Sequence, residues 1–404
     1  MSFRPLFLAA SSVLLLAACV RVYLHGTPAA AADEPPTMRF ASYNTSLYHD
    51  QAGGLIARLE NDDEAARKIA AVLQRMRPDV VLLNEFDFDP AGRAADLFQR
   101  RYLEKPQFGL DPIHYPYRHL APVNTGVASG LDLDGDGKIE SHGRAYGNDA
   151  WGYGLHPGQY GMLVLSRYPI DRARIRSFQY FKWSALPGAL RPLDPATGKP
   201  WHPDGIWQAL RLSSKSHWDV PIQTPRGEVH LLALHPTPPV FDGPEDRNGA
   251  RNHDEIRLMA EYISAKPLPW LCDDLGQCGG LPADAAFVIV GDLNADPVDG
   301  DSKPGAIAQL LEHPRVLHYP APRSPGAAAR AAHYGIPRRG DTAVHTGDFG
   351  PRSGTLRLDY VLPSRQLAVK QSGVFWPLPE SAEAAFAGGS DHHLVWLDLD
   401  LPKQ

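Results

Sequence analysis

The chain has 404 residues, 43% of them hydrophobic and 21% charged. That balance is enough to bury a sizeable core, which excludes a mostly disordered chain; only the N-terminus approaches membrane-like apolarity, which excludes a polytopic membrane protein. Lys+Arg 40 against Asp+Glu 46 gives a formal net charge of −6, so there is no bulk electrostatic footprint for nucleic acid, although a local basic patch can survive in an acidic whole.

The N-terminus has the pattern of an export signal. Arg4 precedes an apolar run from Leu6 to Ala18, too short to span a bilayer and of the length of a signal-peptide core. The run ends in Leu16-Ala17-Ala18-Cys19, which resembles the lipobox of bacterial lipoproteins. On that resemblance residues 1–19 are the signal peptide and Cys19 is acylated. Val20 in place of Asp after it then points to the outer membrane. The competing readings are cleavage near Ala30-Ala31-Ala32 with secretion or release to the periplasm, and an uncleaved anchor. Residues 20–36, rich in Ala and Pro, form a tether. The expected membrane contact is through the lipid alone, and the body is expected to be a monomer.

One domain is expected over residues 37–402, since no repeat and no composition break follows residue 36. Met38–Tyr43 opens it as a strand. Ala65, Ile69, Val72, Leu73 and Met76 recur at helical spacing and predict a helix over 61–77, capped by Asn61 or Asp62 and ended by Pro78. Val80–Leu83 is a continuous apolar, β-branched run, hence a buried strand. Met162–Leu165, Val229–Leu234, Phe287–Val290, Leu358–Leu362 and Val395–Leu401 have the same character, and 252–264 has a helical period. The stretches 104–160 and 183–226 carry Gly, Pro, Trp and Tyr with little periodicity and are expected to be loop insertions.

Several strands end in polar clusters. The first ends at Asn44, the second at Asn84-Glu85, later ones at His235, at Asp292-Leu293-Asn294 and at Asp359, and Ser390-Asp391-His392-His393 stands before the last. Such groups are costly at the edge of an apolar core unless paired or metal-bound. Oxygen ligands such as Glu85, Asp391 and Asn44 suit Mg²⁺, Mn²⁺ or Ca²⁺ rather than zinc, and two His with nearby Asp suit proton transfer. Singly, each has a plain explanation as a turn or a surface pair.

Together, in this order, Asn44, Glu85, His235, Asp292-x-Asn294, Asp359 and Asp391-His392 resemble the endonuclease/exonuclease/phosphatase superfamily of deoxyribonuclease-like metal-dependent phosphoesterases, here as an exported bacterial member. Leu83-Asn84-Glu85, Gly291-Asp292-Leu293-Asn294 and Ser390-Asp391-His392 are the most specific pieces, with Leu165-Ser166-Arg167-Tyr168-Pro169-Ile170 in support. The resemblance implies an α/β (α+β) four-layer sandwich of two mixed β-sheets flanked by helices. It also implies divalent-metal hydrolysis of a phosphate ester, with Mg²⁺ or Mn²⁺ the expected ion and Ca²⁺ an alternative. By position Glu85 would bind the metal with Asn44 and Asp391. Asp292 and Asn294 would position water and phosphate, His392 would contact phosphate or move a proton, oriented by Asp359, and His235 would be the second imidazole. Asp292 and His392 both stay open as the base. A phosphodiester, in nucleic acid or a lipid headgroup, is the leading substrate class; a phosphomonoester is the alternative, and a silent envelope binding module is the reading from outside enzymology. Ser46 stands where apurinic-type nucleases place an acidic residue, and no Arg-rich stripe appears, which weakens the case for duplex DNA.

Four weaker features remain. Asp132, Asp134 and Asp136 alternate as in a calcium loop, but position twelve is Gly143 rather than Glu, so a structural calcium site and a plain acidic turn stand level. Arg247 and Asn248 either meet a phosphate or belong to a helix cap with surface charges. Lys215, His217 and Trp218 precede the His235 strand and are expected to line a substrate cleft, with packing as the alternative. Cys272 and Cys278 are spaced for a small disulfide in an oxidising compartment.

Overall fold

The apolar runs pair into two mixed sheets. A computed structural model describes residues 1–2 and 37–401. Cys19 and the tether over 20–36 lie outside the described residues. The strands in chain order are β1 Thr37–Leu47, β2 Val80–Phe86, β3 Tyr117–Leu120, β4 Met162–Ser166, β5 Arg176–Ser177, β6 His217–Thr224, β7 Gly227–Leu234, β8 Phe287–Asp292, β9 Gly347–Asp348, β10 Thr355–Leu356, β11 Asp359–Pro363, β12 Ala368–Val374 and β13 Val395–Asp400. One sheet has the order β12-β13-β1-β2-β4-β3, the other β11-β8-β7-β6-β5, and β9 and β10 form a separate pair. The β1–β2 and β7–β8 pairs are parallel, and the remaining pairs are antiparallel.

Alternation along each strand builds three apolar layers. Phe40, Val80, Leu82 and Val164 face Val220, Leu231, Val288 and Val290 between the sheets. Ala41, Val81 and Leu83 pack outward against Ile69 and Leu73 of the helix Glu64–Met76. Leu232, Phe287 and Ile289 pack outward against Ile256 and Met259 of the helix Arg247–Tyr262. Two covered faces explain the continuous apolar runs Val80–Leu83 of β2 and Phe287–Val290 of β8. The result is the expected four-layer α+β sandwich. Among the described residues no helix is long and apolar enough to cross a membrane.

Several local expectations are corrected. The first long helix is capped by neither Asn61 nor Asp62 but by Asp63, whose carboxylate accepts from Ala66 N at 2.8 Å, a bond worth about 1 kcal/mol. The second helix begins at Arg247, five residues before its expected start. The stretch 183–226 is not all loop: β6 lies inside it, with Pro221 accommodated beside His230 of β7. Proline obscured that strand, because it removes a ladder donor and marks most sequences as non-strand. The stretch 104–160 likewise holds β3 and a short helix, Gly143–Asn148.

Trp218 is also corrected. It is fully buried in the layer between the sheets, edge-on to His119 at 4.6 Å, and lines no cleft. Its place on β6 with Val220 and Ile222 is the inward face of a period-two strand. Cys272 and Cys278 are joined by a disulfide.

Candidate active site

The parallel pairs place four strand C-termini on one edge of the sandwich. Asn44 and Asn84 are directly paired on β1 and β2, with Glu85 next along β2. His235 follows β7, and Asp292 ends β8. Asp359 opens β11 directly opposite Asp292, and His392 precedes β13. The two sheets are sewn together here. Asn44 Nδ2 donates to Asp292 Oδ2 at 3.0 Å, and Asp292 N donates to Asn84 Oδ1 at 3.2 Å. Gly291 is required by close approach: a Cβ there would lie 2.0 Å from the carbonyl oxygen of Leu234.

The backbone turns sharply at the same edge. Ser46, Glu85 and Asn294 all have left-handed φ values, 49°, 55° and 50°. Each costs on the order of 1–3 kcal/mol for a non-glycine residue, and such conformations cluster at functional sites. β1 is bulged between Asn44 and Leu47, which carries Ser46 Oγ to 2.9 Å from Asp391 Oδ1.

Asp292 is the centre of the arrangement. Its Oδ2 lies 3.6 Å from Nε2 of His235 and 3.6 Å from Nε2 of His392. Its Oδ1 accepts from Asn294 N at 3.0 Å, and Asn294 Nδ2 donates to Pro236 O at 3.1 Å. Burial pushes the Asp292 carboxyl up to about 7; Asp359 and Glu85 push the same way, against His392 and Asn44. His392 Nδ1 is 2.8 Å from Asp359 Oδ2, which also accepts from Thr346 Oγ1 at 2.7 Å. Burial works against its protonation, but the Asp359 and Asp292 carboxylates outweigh it and hold the imidazolium well above the usual histidine range. His235 is 1% exposed and its Nδ1 has no hydrogen-bond partner among the described residues. Burial, with the Lys215 and His392 charges, pushes it well below the usual range, so it is neutral. The site thus holds one charged and one neutral imidazole, each with Nε2 3.6 Å from the same carboxylate oxygen.

The donor set fits a hard divalent cation. Ligand atoms of Glu85, His235 and Asp292 lie within 4.8 Å of one another. Burial raises the pKa of Glu85 as well as that of Asp292, so two desolvated carboxylates share one corner. A cation is the counter-charge that corner needs. Asp391 sits exposed at the rim, bonded to Ser46 and Ser390, and belongs to no such three-ligand group.

Glu85, Asp292, Asn294, Asp391 and His392 line a cavity of about 760 Å³, within the size range of small-molecule sites. Lys215, Arg247 and Asn248 all line it. Arg247 Nη1 is paired with Glu245, and Asn248 Nδ2 donates to Val240 O at 2.7 Å, so the helix start is largely committed to its own loop. Asp132, Asp134 and Asp136 form a second acidic group, but their oxygens accept from Gly135, Gly137, Asp136 and Lys138 N–H groups and from Asn148. Sequence reasoning missed Thr346, which anchors Asp359, and the rings of Tyr48 and Tyr160, which meet at 4.5 Å on the wall. It also missed Asn252, which holds Thr237 O and Leu293 O at 2.9 and 3.0 Å. None carries a motif; each acts through a contact distant in sequence.

A sandwich with this edge defines a phosphoesterase. The profile of the Endonuclease/Exonuclease/phosphatase family matches residues 41–392, and the chain belongs to that family. It is a hydrolytic phosphoesterase. No curated protein matches it in sequence. Among solved structures it is similar to an endonuclease/exonuclease/phosphatase from Beutenbergia cavernae DSM 12333, at 20% identity over 91% of this chain and 72% of that one, TM-score 0.49. It is also similar to sphingomyelinase C from Streptomyces griseocarneus, at 19% identity over 90% and 99%, TM-score 0.44. Zebrafish (D. rerio) TDP2, solved with a single-strand DNA product, is 12% identical over 90% and 98%, TM-score 0.43.

Proposed function

We propose that the chain hydrolyses a phosphodiester, in nucleic acid or a lipid headgroup, with Mg²⁺ or Mn²⁺ held by Glu85 and Asn44 and with Asp391 at the rim. The observation that carries this reading is the placing of Asp292 between a charged His392 and a neutral His235. A bound divalent ion supplies charge neutralisation at the phosphoryl oxygens. The chain's own residues do the rest. Asp292, with Asn294 fixing its position, accepts the proton of the attacking water as the new P–O bond forms. The imidazolium of His392, oriented by Asp359, hands a proton to the leaving oxygen as the ester P–O bond breaks. Neutral His235, with Nε2 also 3.6 Å from Asp292 Oδ2, orients the phosphate.

The test is turnover of bis-p-nitrophenyl phosphate with Mg²⁺, Mn²⁺ or Ca²⁺, with excess EDTA and Glu85→Ala as blanks. Activity that persists in EDTA removes the metal from the reading. Turnover of p-nitrophenyl phosphate alone makes the protein a phosphomonoesterase instead. Plasmid DNA and sphingomyelin then separate the two diester classes. Export through residues 1–19 with acylation of Cys19 completes the proposal, and radiolabelled palmitate that labels the wild type but not Cys19→Ser is the expected result.

A further inference from the structure

Lys215 stands on the segment that leads into β6, and its backbone is fixed on both sides. Its N–H donates to Ser213 Oγ at 3.2 Å, and its carbonyl accepts from Asn124 N at 3.0 Å. The residue is 5% exposed and lines the cavity with Glu85 and Asp292. Yet among the described residues its ammonium makes no hydrogen bond and no ion pair. The carboxylate that acts on it most strongly, Glu255, is already committed: Oε1 accepts from Ser214 N at 2.8 Å and Oε2 from Thr237 N at 2.6 Å. Burial disfavours the charged form of an ammonium left in this state. An anion entering the cavity removes that penalty. Lys215 lines the same cavity as Glu85 and Asp292, and both carboxylates bear on its ammonium.

We propose that Lys215 donates a hydrogen bond to a non-bridging oxygen of the scissile phosphate and carries part of the charge that develops there during in-line attack. The proposal rests on the phosphodiesterase reading above. The ammonium keeps its protons throughout; the leaving oxygen receives its proton from His392. Lysine suits the position because three N–H groups on a flexible stem can follow an oxygen that moves as phosphorus inverts.

Lys215→Met keeps the stem and removes the charge, and Lys215→Arg keeps the charge. In the full chain with Mg²⁺, Lys215→Met is expected to lower kcat on bis-p-nitrophenyl phosphate about 100- to 1,000-fold, as loss of one transition-state donor does. It is expected to weaken the binding of inorganic phosphate, read by calorimetry, about tenfold or more. Its Tm is expected to rise, because a buried unpaired charge has gone. Lys215→Arg is expected to recover most of the phosphate binding. The loss in kcat should be the same for methyl aryl phosphates with good and poor leaving groups. A loss that grows as the leaving group worsens would make Lys215 the leaving-group acid and overturn the proposal. Unchanged phosphate affinity in Lys215→Met, or a lowered Tm, would also overturn it, since the lysine would then serve only to balance Glu85 and Asp292. If the wild type binds phosphate through Lys215 but cleaves no diester, the contact stands and the phosphodiesterase reading fails.

Discussion

Asp292 and Asp359 are directly opposed on neighbouring antiparallel strands, two buried carboxylates where a sheet would ordinarily place neutral or opposite partners. His392 resolves the conflict, with Nδ1 2.8 Å from Asp359 Oδ2 and Nε2 3.6 Å from Asp292 Oδ2. One imidazolium therefore serves both acids, and both acids keep it charged. His392→Ala leaves the pair without that cation. We expect activity to fall about 10²- to 10⁴-fold, the range for a lost acid–base group, and Tm to fall as well. Thr346→Val, which removes the donor to Asp359 Oδ2 and the acceptor of the Leu358 and Asp359 N–H groups, should lower kcat less, leave KM near its original value and lower Tm. Steady-state kinetics and thermal melts check both; a His392→Ala variant with normal turnover would remove the imidazole from the chemistry.

The raised pKa of Asp292 fixes a direction for stability against pH. Its folded value is about 7, above the about 3.9 of an unfolded Asp. The folded state therefore binds more protons than the unfolded state between those values. Stability from this group is full below the unfolded value and is lost as pH rises through the folded value. In EDTA, the wild type should lose stability relative to Asp292→Asn as pH climbs from about 4 to about 8. Thermal melts of the two proteins across that range measure the difference, and parallel curves would show that the carboxyl is not shifted.

The motif order exposed the site because its residues end strands that are buried on both faces. Asn84-Glu85, Asp292 and His235 each follow an apolar run, so their polarity stands out against the core. The same contrast is absent at β6, where Pro221 between Val220 and Ile222 and the polar His217 and Asp219 give the segment the look of a loop. Thr346 and Asn252 gave no signal, since a Thr in a loop and an Asn in a helix are ordinary until their partners are known. The left-handed turns at Ser46 and Glu85 were equally hidden, because neither is glycine.

The burial of Trp218 has a measurable consequence. Trp218 is wholly enclosed between the sheets, so Trp218→Ala should cost about 3–5 kcal/mol of stability through the cavity it leaves. Activity per folded molecule should hardly change at low temperature. Denaturant unfolding and kcat/KM together decide this; a stable variant with weak substrate binding would return Trp218 to the cleft.

Glu85 combines two costs in the metal-free chain: a desolvated carboxyl and a left-handed backbone at φ 55°. Both persist only if the surroundings impose them; Asn44, His392 and Lys215 offset the first in part, and a bound cation would turn it into a gain. Mg²⁺ at a hundred times its dissociation constant should then stabilise the fold by about 2.7 kcal/mol. Glu85→Gln should abolish most of that increment while melting at or above the wild-type temperature in EDTA. Glu85→Gly should melt higher still, since glycine accepts the turn without strain. Calorimetric melts with and without Mg²⁺ read all three, and a Mg²⁺ response that survives in Glu85→Gln would place the ion elsewhere in the cavity.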